Sequence, residues 1–342
     1  MNAQPDLAQL YLQMCRMREV ERAVAGLWHA GLVSGELHLG TGEEATIAGV
    51  LAHLGDGDAL AVDYRSTPPF VARGVDVEAI LHELLGDRRG LNGGRGGHMH
   101  LLSPEHLAAA SGIVGAPAPL VCGFGLAAQQ AGAGHVAVAF FGDGAINEGM
   151  VMESLNLAVV WRLPVVFVCK DKRWAGTTRS GSVTVGGLHR RALGFGLPVV
   201  NVDGREVVAV WRAAERAVDR ARRGHGPTFV IARVERMEGH FLGDPLMRVA
   251  TDVRELATEV TPLVGGLRKG SGAPISARLL SLARLTGTIG TAALGRTHRR
   301  DPLTRVRRRL PSADAARIEQ TAGAEVDAAL RSAQVGAGRD HA

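Results

Sequence analysis

Residues 135–170 read HVAVAFFGDGAINEGMVMESLNLAVVWRLPVVFVCK, and they contain the clearest strand and helix patterns of the chain. Residues 135–141 form one continuous apolar run, and residues 164–169 form a second. Between them, a Gly-Asp-Gly turn leads into residues 147–161, whose apolar spacing is typical of a helix. Two strands that are apolar throughout, joined by a helix, predict a βαβ unit in a parallel sheet that is buried on both faces.

The same alternation of strands and helices extends outward from this unit. Further strands are predicted at residues 59–62, 199–202 and 228–232. Further helices are predicted at residues 6–31, 44–54, 77–85, 205–223 and 312–332. The pattern predicts an α/β fold: an open, mostly parallel sheet with helices on both faces.

The domain organisation follows from where this pattern weakens. We predict an α/β domain over residues 1–250, an atypical insertion or linker over residues 251–298, and a C-terminal helical tail over residues 299–342. Within the first domain, five glycines fall between residues 90 and 97, and such a run packs neither as a helix nor as a strand. It is either a flexible surface loop or a loop that closes over a ligand.

Composition narrows the possible partners. The chain has 342 residues, of which 46% are hydrophobic, and this is ample for a buried core. Its 39 basic and 34 acidic residues are interleaved along most of the chain, so the net charge of +5 predicts a mixed solvated surface rather than binding to nucleic acid. A local basic cluster at residues 296–309 fits either an acidic partner protein or a solvated face.

The cysteine spacing and the composition of the N-terminal segment indicate the cellular compartment of the protein. Cys15, Cys122 and Cys169 are far apart and show no metal or redox spacing, and the N-terminal segment is charged where a signal peptide is apolar. These features predict free thiols and a cytoplasmic protein. The uncharged residues 107–134 contain prolines and many glycines, which favours a buried loop and helix over a membrane span.

Candidate chemistry lies at the carboxyl ends of the strands, where ligands bind in open parallel sheets. Asp143 follows one strand and residues 170–174 follow the next, so the two loops are predicted to lie side by side. A carboxylate between glycines can hold Mg²⁺, and a helix beginning at Asn147 would offer amide donors to a phosphate. Taken alone, a Gly-Asp-Gly turn is more often a capped turn without a ligand.

The surrounding sequence resembles one family. Residues 140–170 closely resemble the diphosphate-binding segment in the α subunits of pyruvate, branched-chain and acetoin dehydrogenases. Other blocks occur in the same order as in that family: HLGTGEEA at 38–45, DYRS at 63–66, GRGGHMHL at 94–101, GIVGAPAPL at 112–120, LPVVNVDG at 197–204, GHFLGDP at 239–245 and RDPLTRVRRRL at 300–310. The resemblance covers residues 6–250 and 298–335, and it implies the thiamine-diphosphate-binding fold of the diphosphate-binding type.

The resemblance also implies roles at matching positions. Asp143 resembles the metal-ligating aspartate of the family, and His38 and His240 resemble the two histidines near the reacting carbon, where a histidine can donate to a substrate carboxylate or move a proton. Tyr64 and Arg65 resemble the pair that reaches the diphosphate from a neighbouring loop. The resemblance implies that the remaining cofactor contacts are made by backbone atoms. Those to the aminopyrimidine ring come from Ile113, Val114 and Gly115, and those to the diphosphate come from Gly142, Gly144 and Ala145.

The sequence departs from the family at the metal site. The family closes this site with an asparagine of an Asn-Asn pair, and here that position is Lys172, preceded by Asp171. Because a charged ammonium has no lone pair, Lys172 cannot ligate Mg²⁺. Three alternatives follow: Asp171 ligates the metal after a shift of the loop, Lys172 itself neutralises the diphosphate, or the site is inactive. Trp174 replaces a tyrosine whose backbone carbonyl ligates the metal, so that ligand is retained.

The function implied by the resemblance is that of the α subunit of a thiamine-diphosphate-dependent 2-oxo acid dehydrogenase. In this family the cofactor lies between an α subunit, which holds the diphosphate, and a β subunit, which holds the aminopyrimidine. The implied enzyme is a heterotetramer that decarboxylates a 2-oxo acid and passes the acyl or hydroxyalkyl unit to a lipoyl or acyl carrier protein. Two alternatives remain: a degenerate scaffold subunit, which Lys172 favours, and a split transketolase-like transferase, against which the GIVGAPAPL and GHFLGDP blocks argue.

Overall fold

The computed structural model describes residues 4–132, 134–244, 274, 276 and 300–337. The helices are α1 (Leu7–His29), α2 (Glu44–Leu51), α3 (Thr67–Arg73), α4 (Val77–Leu84), α5 (Pro117–Ala131), α6 (Gly149–Val160), α7 (Gly187–Gly194), α8 (Val207–Arg222), α9 (Pro302–Arg307) and α10 (Ser312–Ala337). The strands are β1 (Ala59–Val62), β2 (Leu102–Ser103), β3 (Ala108–Ala110), β4 (Ala137–Gly142), β5 (Val165–Asp171), β6 (Trp174–Ala175), β7 (Thr178–Arg179), β8 (Val199–Asp203) and β9 (Thr228–Arg233). The segment 251–298, predicted as an insertion or linker, lies almost entirely outside the described residues.

Seven strands form one sheet in the order β2-β3-β1-β4-β5-β9-β8. Every neighbouring pair is parallel except β2 and β3, which are antiparallel at one edge. Strands β4 and β5 pair in register from Ala137 opposite Val165 to Gly142 opposite Lys170. The predicted mostly parallel sheet is confirmed, and the ends of β4 and β5 lie side by side as expected.

Side chains on the two faces of the sheet belong to two separate cores. On β4, Val138 and Phe140 pack in one core together with helices α1, α2 and α8, whereas Ala139 and Phe141 pack in the other together with α5 and α6. Because successive strand residues point to opposite faces, an unbroken apolar strand requires a helical layer on each side. Helices on both faces are therefore confirmed.

Two boundaries next to the site differ from the sequence-based expectation. Helix α6 begins at Gly149 rather than at Asn147, because residues Asp143–Asn147 form a tight 3₁₀ turn and Glu148 is extended at the N-cap. Strand β5 continues to Asp171, two residues beyond the predicted end, because Lys170 and Asp171 still pair with β9. Asp171 is therefore the last residue of a strand and not the first of a loop.

The uncharged segment 107–134 contains α5, as predicted, but only one face of this helix is buried. Ala118, Val121 and Gly125 point into the core, whereas Leu120 and Gly123 are exposed. None of the helices in the described ranges combines the length and the apolar character needed to cross a membrane.

The C-terminal helices pack against the N-terminal half of the chain. Ala322 and Val326 of α10 join the core that contains α1. Basic side chains of the cluster predicted at residues 296–309 pair within the chain, with Arg305 against Glu206 and Arg307 against Glu319. The three-domain division stays a prediction.

Candidate active site

A cavity of about 380 Å³ opens at the carboxyl ends of β1, β4 and β5. This is the edge where ligands bind in open α/β sheets, and the volume suits a cofactor-sized molecule. Its floor is the turn that follows β4, and its walls come from the loops after β1, β3, β5 and β9.

The turn after β4 brings a buried carboxylate and a close-packed glycine to the floor. Asp143 is nearly inaccessible, and its Oδ1 accepts a hydrogen bond of 3.3 Å from the backbone N–H of Lys172, while its Oδ2 accepts one from the Ser180 hydroxyl. Burial raises the pKa of Asp143, and the bond from Ser180 partly offsets this. A Cβ atom on Gly144 would lie 2.7 Å from the Cβ of Ala175, so glycine is required for this close approach.

A buried ionic cluster adjoins the cavity, and three of its members, Asp63, Arg65 and Lys172, line it. Lys170 Nζ lies 2.7 Å from Glu43 Oε2 and 3.0 Å from Asp63 Oδ1. Lys172 Nζ also pairs with Glu43, and Arg65 Nε lies 4.0 Å from the same carboxylate. Burial by itself would raise the pKa of Glu43, but the three cations outweigh it and hold that pKa at about 2. Glu43 is therefore ionised at neutral pH and is the centre of the cluster.

Lys170, in β5, and Lys172, just after the end of β5, have opposite pKa shifts. Burial opposes the charge on both, and at Lys170 the neighbouring Asp63 and Glu43 outweigh it, so the pKa is raised. At Lys172, burial together with the repulsion from Arg65 lowers the pKa to about 8. Of the two, Lys172 lines the cavity.

Three histidines lie close together at the cavity, and two of them, His38 and His240, line it. The rings of His38 and His240 have centroids 4.9 Å apart, and His98 Nε2 lies 3.2 Å from Nδ1 of His38. Burial, followed by the charge of Arg65, lowers the pKa of His38 to about 3 and the pKa values of His98 and His240 to about 4. All three rings are therefore neutral at pH 7, and each offers one N–H donor and one acceptor nitrogen.

Two arginines hold the loops around the cavity. Arg65 donates through Nη1 to the carbonyl of Leu39 and through Nη2, at 2.8 Å, to the carbonyl of His240. Arg236 donates to the carbonyl of Gly176, while its buried Nε–H has no hydrogen-bond partner among the described residues. Burial, followed by the Arg65 charge, lowers the pKa of Arg236 to about 10.

Most of the residues predicted from the sequence meet at this cavity. Those that line it are His38, Tyr64, Arg65, Val114, Gly115, Gly142, Asp143, Gly144, Ala145, Lys172, Trp174 and His240. Ile113 is 60% exposed and does not line it. Asp171 lines a neighbouring cavity together with Arg173, and its carboxylate accepts a hydrogen bond from the backbone N–H of that residue. The roles of all these residues stay predictions.

Sequence reasoning missed four residues that the structure brings to the site: Glu43, His98, Lys170 and Arg236. A signal existed for two of them. Lys170 follows an apolar run that was predicted to be a strand. His98 directly follows the glycine-rich segment at residues 90–97, which was predicted to be either a surface loop or a loop that closes over a ligand. Glu43 is one of two glutamates inside the HLGTGEEA block and Arg236 lies just before GHFLGDP, but nothing in the sequence marks either as a site residue.

The fold and the cavity define a class of α/β proteins. In this class, a cavity at the carboxyl ends of a parallel sheet has a glycine-containing turn at its floor and basic side chains in its lining. Residues 12–265 match the family model described as dehydrogenase E1 component. The chain therefore belongs to the dehydrogenase E1 component family.

Curated relatives agree with this assignment. The chain is 42% identical over 240 residues to the α subunit of acetoin:2,6-dichlorophenolindophenol oxidoreductase from Cupriavidus necator, which covers 70% of this chain and 72% of the relative. It is 38% identical over 261 residues to the protein of that name from Bacillus subtilis, covering 76% and 78%. It is 36% identical over 261 residues to the pyruvate dehydrogenase E1 component subunit alpha of Rhizobium meliloti, covering 75% of each.

Proposed function

We propose that this chain is the diphosphate-holding α subunit of a thiamine-diphosphate-dependent enzyme that decarboxylates a 2-oxo acid and passes the acyl or hydroxyalkyl unit to a carrier. The observation that carries the proposal is the glycine turn after β4, which meets Arg65 and Lys172 at one cavity in a chain of this family. Arginine and lysine are the side chains that proteins use to bind phosphate oxygens.

The cofactor, when bound, supplies an electron sink for the carbon–carbon bond cleavage. The chain supplies position and charge. The backbone of residues 142–145 and the side chains of Arg65 and Lys172 hold the diphosphate end. The neutral His38 and His240 rings, at the cavity mouth, donate hydrogen bonds to the substrate carboxylate or carry a proton.

A β subunit completes the site in this proposal. Ile113 and Val114, next to the cavity, are 60% and 43% exposed, and exposed apolar side chains beside a cavity are typical of a surface that a partner covers. The proposed acceptor is a lipoyl or acyl carrier protein. The family names of the relatives make acetoin and pyruvate the first substrates to test.

The test compares the chain alone with the chain co-expressed with a β subunit of the same family. Turnover of pyruvate, a branched-chain 2-oxo acid and acetoin is measured with added thiamine diphosphate and dichlorophenolindophenol as electron acceptor. We expect turnover by the complex and none by the chain alone. Full turnover by the isolated chain would overturn the proposal that a β subunit is required. If the complex neither turns over a substrate nor binds the cofactor, the proposal that the chain is part of an enzyme is overturned.

The scaffold alternative has one specific observation in its favour, the lysine at position 172 in the metal loop. A scaffold subunit has no need of the cofactor. Thiamine diphosphate binding to the complex, measured by calorimetry, therefore separates the two functions.

A further inference from the structure

The donor set at the glycine turn lacks one oxygen ligand of a divalent-cation site. Mg²⁺ is usually held by one or two carboxylates together with phosphate oxygens and water, and the carboxylate on this turn is Asp143, whose oxygens accept hydrogen bonds from Lys172 N–H and the Ser180 hydroxyl. At position 172, where the family has an asparagine oxygen, this chain has an ammonium, which cannot ligate a metal. The Asp171 carboxylate accepts a bond from its own loop and lines a different cavity. Within the part of the chain that the structure describes, no group of three or more histidine, cysteine, aspartate or glutamate residues is placed to hold a metal ion.

A protein cation lies next to this turn. The backbone of Lys172 is in contact with Asp143, and its side chain reaches the cavity wall, where the ammonium pairs with Glu43. An ammonium has three donors, so Lys172 can keep its ion pair with Glu43 and still donate to a phosphate oxygen. It is also a point charge of the kind that proteins use to bind phosphate.

An unpartnered donor favours an anion in the cavity. Arg65 and Lys172 of the buried cluster line the cavity, and Arg236 lines it with a buried N–H that has no partner among the described residues. The carboxylates of Asp143 and Glu148 also line it, so the preference rests on this buried donor, which an anion would satisfy.

We propose that this chain binds thiamine diphosphate without a divalent metal, with the Lys172 ammonium in place of the metal ion. Glu43 acts as a positioning residue, because it holds the ammonium at the wall next to the glycine turn. The inference rests on the proposed function, since it concerns the same cofactor.

The test measures thiamine diphosphate affinity of the complex with the β subunit, by calorimetry, in excess EDTA and in excess Mg²⁺. For the wild-type complex we expect the two dissociation constants to agree within about threefold, because no metal takes part. Lys172→Asn removes the ammonium and introduces a metal-ligating oxygen, so we expect its affinity in EDTA to fall by at least about tenfold and to recover with Mg²⁺. Arg173→Gln is the matched control, because it removes an exposed positive charge one residue away and should leave affinity and EDTA resistance unchanged.

A second readout needs no variant and no activity. Mn²⁺ is added to the wild-type complex with thiamine diphosphate, and protein-bound Mn²⁺ is measured by electron paramagnetic resonance. We expect none at the cofactor site. Bound Mn²⁺ that depends on thiamine diphosphate, or wild-type affinity that EDTA abolishes, would overturn the metal-free site and leave the proposed function standing. Absence of cofactor binding with and without metal would overturn the proposed function as well.

Discussion

His240 is the cavity residue whose chemistry is easiest to isolate. Its ring lies at the mouth, against His38, and its backbone carbonyl, which a substitution retains, accepts the bond from Arg65. His240→Ala should therefore lower kcat of the complex by roughly 100-fold or more, the usual contribution of a general acid or base, and leave thiamine diphosphate affinity nearly unchanged. Steady-state turnover and calorimetry measure the two quantities. His225→Ala, at an exposed position, is the control, and equal losses in both variants would contradict the role of His240.

Glu43 determines whether the buried cations are tolerated. Glu43→Gln keeps the shape of the side chain but removes the charge that Lys170 and Lys172 share. Removing one partner of a buried ion pair costs about 3 kcal/mol, so the free energy of unfolding in urea should fall by about that amount. Asp314→Asn removes an exposed partner of Arg317 and should change it little. A Glu43 variant as stable as this control would mean that the cluster contributes nothing to stability.

Glu21 links stability to pH. Burial, and secondarily the nearby Glu44 and Glu43, raises its pKa to about 8 from an ordinary 4.5, although the Gly40 N–H opposes the shift. Between these two values the folded protein retains a proton that the unfolded chain releases, so the contribution of Glu21 is fully present below pH 4.5 and is lost as pH rises to about 8.

The free energy of unfolding of Glu21→Gln should therefore decrease less steeply with pH over this range. The slope should differ from that of the wild type by up to about 1.4 kcal/mol per pH unit. The measurement is the free energy of unfolding of variant and wild type at pH 5, 6, 7 and 8. Glu19→Gln on the same helix should keep the wild-type slope. Parallel curves for wild type and Glu21→Gln would exclude a raised pKa at this carboxyl.

At the scale of elements, α5 contains two glycines with opposite surroundings. A Cβ on Gly125 would lie 2.4 Å from Val165 Cγ1, whereas a Cβ on Gly123 would meet nothing within 4 Å. Gly125→Ala should destabilise the chain by about 1–2 kcal/mol, because overpacking against β5 outweighs the gain in helix propensity. Gly123→Ala should stabilise it by up to about 1 kcal/mol. Thermal and urea unfolding of both variants test this, and stabilisation by both would show that α5 can shift away from β5.

Element boundaries next to the site were predicted less well than the elements themselves. The βαβ unit was evident from continuous apolar runs, which require burial on both faces. The 3₁₀ turn at Asp143–Asn147 was not evident, because the same residues are compatible with the first turn of a helix. Hydrogen bonds to distant segments favour the 3₁₀ turn over a first helical turn, because the Asn147 side chain bonds to Thr184 and to Arg191.

At the scale of the whole molecule, Asp301 joins the C-terminal helices to the α/β core. It caps α9 through the N–H of Leu303, and it lies 3.0 Å from Arg18, which also pairs with Glu44. Asp301→Ala should lower the free energy of unfolding by about 2–4 kcal/mol, because it removes a cap and leaves a buried arginine with one carboxylate fewer.

A matched variant separates the two contributions. Asp76 caps α4 in the same way, through the N–H of Glu78, and it is exposed. Asp76→Ala should therefore lower the free energy of unfolding by only about 1 kcal/mol, the usual contribution of a helix N-cap. Urea unfolding measures both, and an equal loss would mean that the pairing with Arg18 contributes nothing.

Sequence patterns were sufficient to predict the sheet, its helical layers and the edge where the site lies. These depend on local patterns, since an apolar run predicts a buried strand and a glycine turn after it predicts a loop at the carboxyl end. The same reasoning, with the family resemblance, placed Asp143, Arg65 and His240 at one site, and the structure brings all three to the cavity.

Only the tertiary structure decided how the charges combine. Glu43 and Lys170 are 127 residues apart in the chain, and although Lys170 follows an apolar run, nothing in the sequence indicates that the two side chains pair. Folding buries both and brings Lys172 to the same carboxylate, so the ammonium at position 172 pairs with a charge that lies just before α2, far away in the sequence. Such pairing depends on three-dimensional proximity, which no local pattern encodes.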